Sequence, residues 1–168
     1  MIIISIDAST TSSGWAVFQD DNLIAHGCIK PKAKDWRDRI MEESVFFMKL
    51  IQDYNPDAIC AEAMPLKPGS HTLETLGAVH GMLLCLCAGY KIKPVFLLPS
   101  KWRKAVGLYD GTRAGLKREV LKEKAIIMAN EKFDLNLKWY GPKSKKSEDD
   151  EAEAILIGLS QIISQNHD

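Results

Sequence analysis

The sequence predicts an α/β domain built on a mixed five-stranded β-sheet with helices on both faces. Three apolar segments come first, and helical and strand-like segments then alternate along the chain. Antiparallel strands need only short turns between them, whereas parallel strands need a crossover connection such as a helix. The chain has 168 residues, of which 46% are hydrophobic and 26% charged. We therefore expect residues 1–168 to form a single globular domain.

The first three strands are predicted from apolar runs that are separated by turn residues. Residues 2–6 form a β-branched run, and the Ser/Thr-rich residues 8–14 after it indicate a turn. The apolar segments 15–18 and 23–29 flank the polar residues 19–22, which is the pattern of a β-hairpin. Together these segments predict three consecutive antiparallel strands.

Helices and strands alternate after this antiparallel meander. Apolar residues at helical spacing predict a helix over 36–54, which Pro56 stops. The helix predicted over 72–90 is apolar nearly all round, so we expect it to pack on several sides. Its apolar surface fits an interface between two copies of the chain as well as it fits a core. Two further strands are predicted over 57–62 and 93–98, and three further helices over 100–106, 116–133 and 148–164. This order of elements resembles that of ribonuclease H-like proteins.

Composition and cysteine spacing exclude several classes of protein. The N-terminus has neither a basic lead nor a small-residue cleavage site, so we expect no signal peptide. No apolar run reaches the length of a membrane span, so no membrane partner is expected. The four cysteines lack metal-ligand spacing and are interpreted as reduced core residues of a cytoplasmic protein. They are Cys28, Cys60, Cys85 and Cys87.

The net charge of zero conceals a basic segment. Residues 101–146 contain 13 basic and 5 acidic residues, a net charge of +8, and the rest of the chain carries −8. This partition favours a local anion-binding face about as strongly as it favours a solvated helix and linker.

Four carboxylates follow two predicted strands or begin the last predicted helix. Asp7 and Glu62 end strands that can be neighbours in a mixed sheet, whereas Asp150 and Glu153 lie three residues apart on one helix face. A turn-capping role would account for Asp7, and the helix dipole for Asp150, but neither accounts for Glu153 on an apolar face. No Lys, Arg or His adjoins any of the four acids, so we expect them to repel each other. Oxygen ligands alone suit Mg²⁺ or Mn²⁺.

Four sequence features resemble the RuvC family of Holliday junction resolvases, and the bacteriophage branch of that family most of all. The resemblance covers nearly the whole chain. It rests on Ile6-Asp-Ala-Ser-Thr-Thr-Ser-Ser-Gly-Trp-Ala-Val17, on the strand-end Glu62, on Pro99-Ser-Lys-Trp-Arg-Lys104 and on Asp150-Glu-Ala-Glu153-Ala.

The resemblance implies a ribonuclease H-like fold and a homodimer that cleaves four-way DNA junctions. It also implies two divalent ions in each active site, Mg²⁺ with Mn²⁺ as a substitute, and no organic cofactor. The catalytic carboxylates and metal ligands of the family match Asp7, Glu62, Asp150 and Glu153.

Three departures from the family pattern concern the metal site and the substrate. Glu153 stands where bacterial members usually carry Asp, and Asp149 competes with Asp150 for the third ligand position. Pro65 stands where an aromatic residue often helps to open the junction. We therefore expect cleavage of a wider range of branched DNA.

The basic segment is expected to bind DNA phosphates, which supply much of the affinity of a structure-selective DNA binder. Trp102 and Trp139 are expected to pack in the core. Two other functions stay open, a ribonuclease H acting on RNA–DNA hybrids and a junction-binding protein that does not cleave. An actin-like ATPase or sugar kinase would need two such domains. The predicted DNA-binding residues are Lys101, Arg103, Lys104, Lys117 and Arg118, with Arg113 and Lys122 in the same segment.

Overall fold

A computed structural model describes residues 1–64, 69–109, 112, 115, 117–142 and 144–166. Within these residues it contains five strands and five helices in the predicted order. The strands are β1 (Ile2–Asp7), β2 (Ser13–Gln19), β3 (Asn22–Ile29), β4 (Ala58–Glu62) and β5 (Lys93–Leu97). The helices are α1 (Trp36–Tyr54), α2 (Ser70–Tyr90), α3 (Pro99–Ala105), α4 (Arg118–Phe133) and α5 (Asp149–Gln165).

The strands form one mixed sheet in the order β3-β2-β1-β4-β5. β1, β2 and β3 pair in antiparallel fashion, whereas β1–β4 and β4–β5 are parallel pairs. The helices α1 and α2 make the crossovers that parallel pairing requires. The predicted fold class is therefore confirmed.

Apolar cores cover both faces of the sheet, because successive side chains of a strand point to opposite faces. Ile3 packs with residues of α3, α4 and α5, including Trp102 and Ile155. Its neighbour Ile4 packs with residues of α1 and α2, including Phe47 and Leu83. The central strand β1 is thus buried on both sides, which accounts for its β-branched composition.

The helix α2 contradicts the expectation that it packs on several sides. Its buried residues form a single stripe through Val79, Leu83 and Cys87, which faces α1 and β5. Leu73 and Leu84 are 51% and 46% exposed. Within the described part of the chain, α2 is also the one helix long and apolar enough to cross a membrane. Because core helices of water-soluble domains share that property, length and composition alone identify no membrane span.

The cysteines are all free, but they do not all lie in the core. Cys60 and Cys87 are buried and Cys28 is half-buried, whereas Cys85 is exposed on α2. The prediction of a core position is therefore wrong for Cys85, because α2 buries a single stripe of side chains and Cys85 lies outside it.

Three sequence-based predictions fall outside the described residues. They concern Pro65 at the junction-opening position, Arg113 in the basic segment, and the helix start at Leu116. The described part of α4 begins at Arg118.

Candidate metal and nucleic-acid site

Parallel pairing of β1 with β4 brings two of the predicted acids to the same edge of the sheet. Ile6 lies opposite Ala61, so Asp7 and Glu62 follow at the carboxyl ends of adjacent strands. This is the edge at which ligands bind in α/β sheets. The sheet therefore places these two carboxylates as the sequence predicted.

A glycine allows the first turn of α5 to lie against this edge. Gly14 pairs with Asp7 across β1 and β2. A Cβ atom on Gly14 would lie only 1.9 Å from the backbone oxygen of Asp150, so no other residue fits without a shift. Farther along α5, the Ser5 hydroxyl donates to the backbone oxygen of Ala154 at 2.7 Å. These contacts fix the acidic end of α5 beside Asp7.

Three of the four predicted carboxylates converge. One oxygen each of Asp7, Asp150 and Glu153 lie within 4.8 Å of one another. Glu62 is outside this group, although it lines the same pocket. Asp149 is outside it as well, so the geometry favours Asp150 over Asp149 as the third ligand.

Two basic side chains reach the acids from other elements and relieve part of the expected repulsion. Arg103 on α3 lies 3.3 Å from a carboxylate oxygen of Glu62 and 3.4 Å from one of Glu153. Lys122 on α4 contacts Asp149 and lies 3.1 Å from Asp150. Sequence adjacency does not reveal these pairs, because each one joins elements that lie far apart in the sequence and meet only in the folded chain.

Burial and mutual repulsion still raise the pKa of the innermost acids. Burial raises the pKa of Asp7 well above its usual value, and the carboxylates of Glu153, Asp150 and Glu62 raise it further, against the lowering effect of Lys122. Burial raises the pKa of Glu153 to about 7, although Lys122 and Arg103 oppose the shift. The two basic residues therefore compensate the acids only in part.

The surroundings of Lys122 stabilise its charged form, whereas those of Asp7 and Glu153 disfavour theirs. Burial lowers the pKa of Lys122, but its hydrogen bond to Asp149 and the charges of Asp150 and Glu153 outweigh that effect and raise it overall. The ammonium group consequently keeps its charge in the cleft.

Two hydrogen bonds orient the acids and were not predicted from the sequence. The indole Nε1–H of Trp102 donates to Glu62 Oε2 at 2.7 Å. The Ser12 hydroxyl donates to Asp150 Oδ2 at 2.5 Å. Trp102 is 1% exposed, so the expected core packing is present, and its ring edge additionally serves the site. The sequence signal for Ser12 was its place in the Ser/Thr-rich turn after Asp7.

The carboxylates lie in an open pocket of about 990 Å³ with basic walls. Of the predicted DNA-binding residues, Arg103 and Arg118 line this pocket. Lys101, Lys104 and Lys117 are exposed outside its lining. The lining also contains Trp139, which packs partly against the core, and three basic residues that were not among the predicted five. These are Lys30, Lys122 and Lys145.

Comparison with known sequences points to one family. No protein-family model matches the chain. The crossover junction endodeoxyribonuclease RuvC of Rickettsia africae (strain ESF-5) is 24% identical over 172 residues, covering 99% of this chain and 100% of the relative. The RuvC of Rickettsia akari (strain Hartford) is 29% identical over 114 residues, covering 65% and 73%.

Comparison with solved structures shows a shared fold. Thermus thermophilus RuvC in complex with Holliday junction substrate superposes with a TM-score of 0.75 at 14% identity, covering 99% of this chain and 96% of that one. The Fowlpox virus resolvase in complex with Holliday junction DNA gives 0.63 at 19% identity, covering 98% and 99%. Sequence similarity and shared fold together support the predicted resemblance to the RuvC family of Holliday junction resolvases, with its ribonuclease H-like fold.

Proposed function

We propose that this protein is a metal-dependent endonuclease that resolves Holliday junctions and cleaves other branched DNA. The observation that carries the proposal is the convergence of Asp7, Asp150 and Glu153 in a pocket with basic walls. The proteins of similar sequence are named crossover junction endodeoxyribonucleases, and two proteins of similar fold were solved with Holliday junctions.

The donor set fits magnesium. Carboxylate oxygens without histidine or cysteine are the ligands that hard divalent cations prefer. Asp7, Glu62, Asp150 and Glu153 would hold two Mg²⁺ ions, with Mn²⁺ as a substitute. Bound there, the ions would activate a water molecule and stabilise the leaving oxygen of a phosphodiester.

The residues around the acids have separate tasks in this proposal. Trp102 and Ser12 fix the orientation of Glu62 and Asp150 through the hydrogen bonds described above. Arg103 and Lys122 balance part of the negative charge while no cation is bound. Once cations neutralise the carboxylates, the same two basic groups can turn to the phosphates of the DNA, which need positively charged contacts.

A panel of DNA substrates tests the function. Mg²⁺ is added to the protein with labelled four-way, flap, RNA–DNA hybrid and linear duplex substrates. We expect paired symmetric cuts in the four-way junction, slower cleavage of flaps, and none of the linear duplex. Preferential cutting of the hybrid would identify a ribonuclease H instead. Tight junction binding without cutting in either Mg²⁺ or Mn²⁺ would identify a binding protein.

The homodimer is a proposal that the exposed face of α2 supports. A four-way junction has approximate two-fold symmetry, so two matched cuts call for a two-fold dimer. A Cβ atom built on Gly77, Gly81 or Gly89 of α2 would have no neighbouring atom within 4 Å, so the helix surface is open at these positions. Leu84 on the same helix is exposed. A second copy packed on this face would remove the exposed apolar surface from water.

Four further assignments remain part of the proposal. The protein is expected to act in the cytoplasm, without an organic cofactor. The bacteriophage-type branch stays a prediction, because the relatives reported above are bacterial. The wide substrate range expected from Pro65 is tested by the same panel of substrates.

A further inference from the structure

A buried acid outside the cleft has no role in the function proposed so far. Glu43, in the middle of α1, is fully buried. Its Oε1 lies 2.8 Å from the Ser13 hydroxyl at the start of β2. Its Oε2 is buried and has no hydrogen-bond partner in the described structure. A buried carboxylate with an empty oxygen is costly, so its presence calls for an explanation.

Hydrogen counting at Ser13 indicates which form of Glu43 fits. The Ser13 hydroxyl oxygen accepts from the backbone N–H of Ser9 at 3.0 Å, and it also lies 2.9 Å from the Ser9 carbonyl oxygen. A hydroxyl has one hydrogen and two lone pairs. An ionised Glu43 would compete with the Ser9 carbonyl for that one hydrogen. A protonated Glu43 donates to Ser13, which then donates to Ser9, so all three contacts are satisfied.

The segment held in this way leads to the acidic cluster. Ser9 and Ser13 close the turn of residues 8–12, and the Ser9 hydroxyl oxygen accepts from the backbone N–H groups of Thr11 and Ser12 at 3.1 and 3.2 Å. The turn presents the Ser12 hydroxyl to Asp150 Oδ2 at 2.5 Å. Hydrogen bonds, linked through the covalent bonds within Ser9 and Ser12, therefore connect Glu43 with one of the converging carboxylates.

The surroundings of Glu43 favour the neutral form. Burial raises its pKa to about 7, and the Ser13 hydrogen bond and the charge of Arg39 lower it less than burial raises it. Arg39 directs its guanidinium to the backbone oxygens of Thr10 at 2.6 Å and Lys34 at 2.7 Å instead of forming an ion pair with Glu43. In the described structure, Ser13 on β2 and Arg39 on α1 are the groups that shift this pKa.

We propose that Glu43 is a positioning residue whose protonated carboxyl locks the turn of residues 8–12 and thereby orients Ser12 against Asp150. Ionisation of Glu43 unlocks the turn and lowers the rate of cleavage, without changing the DNA-binding surface. The activity readout rests on the nuclease function proposed above, so the test also includes a readout that does not need activity.

The test compares Glu43→Gln with the native protein across pH. The amide cannot ionise, and its N–H group can donate to Ser13 as a protonated acid does. The ratio of native to variant kcat should be near one at about pH 6 and fall about tenfold by about pH 8.5, with KM for the junction unchanged. Taking the ratio removes the pH dependence that both proteins share. Glu42→Gln, at an exposed neighbouring acid, should match the native protein at every pH.

Hydrogen exchange and carbon NMR decide the matter independently of cleavage. In the native protein, the protection factors of the Ser12 and Ser13 amides, which are corrected for the intrinsic rise of exchange with pH, should fall above the titration midpoint of the Glu43 carboxyl carbon. In Glu43→Gln, these protection factors should stay constant across the same pH range. Detection of an ionised Glu43 at about pH 5, or identical pH profiles for native and variant, would overturn the proposal. A protein that cuts no junction yet shows the expected exchange and titration would refute the nuclease function and keep the turn lock.

Discussion

The helices α5 and α2 are both long and apolar, but they are buried to different extents. α5 packs against four strands and two helices and is buried along most of its length. α2 contacts α1 and β5 through one stripe and leaves large apolar side chains exposed. Within the described chain, α5 packs against other elements on most of its surface, whereas α2 packs against them on one side only.

The difference follows the task that each helix has in the proposed function. Metal-binding acids must be held within a fraction of an ångström, and α5 obtains this precision from Gly14, Ser5 and the surrounding core. An interface between copies needs the opposite, a face that the monomer leaves open. Substitutions around the acidic end of α5 should therefore abolish cleavage, whereas substitutions on the open face of α2 should prevent dimer formation.

The largest effect is expected at the acids beside α5. Asp7→Asn should lower the rate of junction cleavage by about 10³ or more, because cations lose a charged ligand, while junction binding remains nearly native. Asp150→Asn should lower the cleavage rate as much as Asp7→Asn does. Asp149→Asn should retain more activity than either variant, since Asp149 lies outside the converging group. Single-turnover cleavage and gel-shift titrations measure both quantities, with the exposed Asp21→Asn as control. Full activity of Asp7→Asn would end the nuclease assignment.

A smaller effect is expected from displacing α5 without touching an acid. Gly14→Ala should shift the first turn of α5, reduce cleavage more than tenfold, and destabilise the fold by about 1–3 kcal/mol through overpacking. Gly69→Ala is the matched control, because nothing lies within 4 Å of its Cβ position. Chemical denaturation and cleavage assays would report both effects. Native behaviour of Gly14→Ala would show that α5 is not seated as described.

Breaking the other helix should affect assembly. Leu84→Glu places a charge on the exposed face of α2. The dissociation constant of the dimer should therefore rise at least about tenfold, and the fold of the monomer should not change. Met41→Glu, at an exposed apolar residue of α1, is the control. Sedimentation at micromolar concentration measures the fraction of dimer in each variant. A native protein that is monomeric and still makes paired cuts would remove the need for this interface.

A weaker effect is expected from basic residues at the pocket rim. Lys117→Ala with Arg118→Ala should weaken binding to all branched substrates alike and lower the slope of log affinity against log salt by up to about two. Fluorescence anisotropy at several salt concentrations measures the slope. If the double variant keeps the native slope, the DNA path lies elsewhere, and Lys30 and Lys145 become the residues to change.

The sequence predicted what depends on short-range patterns and missed what depends on three-dimensional packing. The order of elements along the chain and the convergence of Asp7 and Asp150 follow from periodicity and from acids at element ends. The pairing of Arg103 and Lys122 with those acids was missed, because it depends on how α3 and α4 pack on α5. The sequence left open whether α2 is a core helix or an interface, since an apolar helix looks alike whether the chain or a partner covers it. The extent of a single domain over 1–168 remains a prediction.

The smallest expected effect concerns stability and measures how well Arg103 and Lys122 compensate the acids. Burial and neighbouring carboxylates raise the pKa of Asp7 in the fold, so its ionised form is disfavoured there. Stability is therefore lost as pH rises from the unfolded value of about 3.9 towards the folded pKa. Asp7→Asn removes this penalty and should stabilise the metal-free protein near neutral pH by about 1 kcal/mol, or about 2–4 °C in Tm.

Melting curves in chelator and in Mg²⁺, each at about pH 4 and about pH 7.5, test this balance. The advantage of Asp7→Asn in chelator should shrink at the lower pH, where the unfolded carboxyl is largely protonated as well. Mg²⁺ should raise the Tm of the native protein more than that of the variant, because cation binding offsets the repulsion. If Asp7→Asn melts below the native protein in chelator, Arg103 and Lys122 already neutralise the cluster, and the carboxylates stabilise the metal-free fold through those ion pairs.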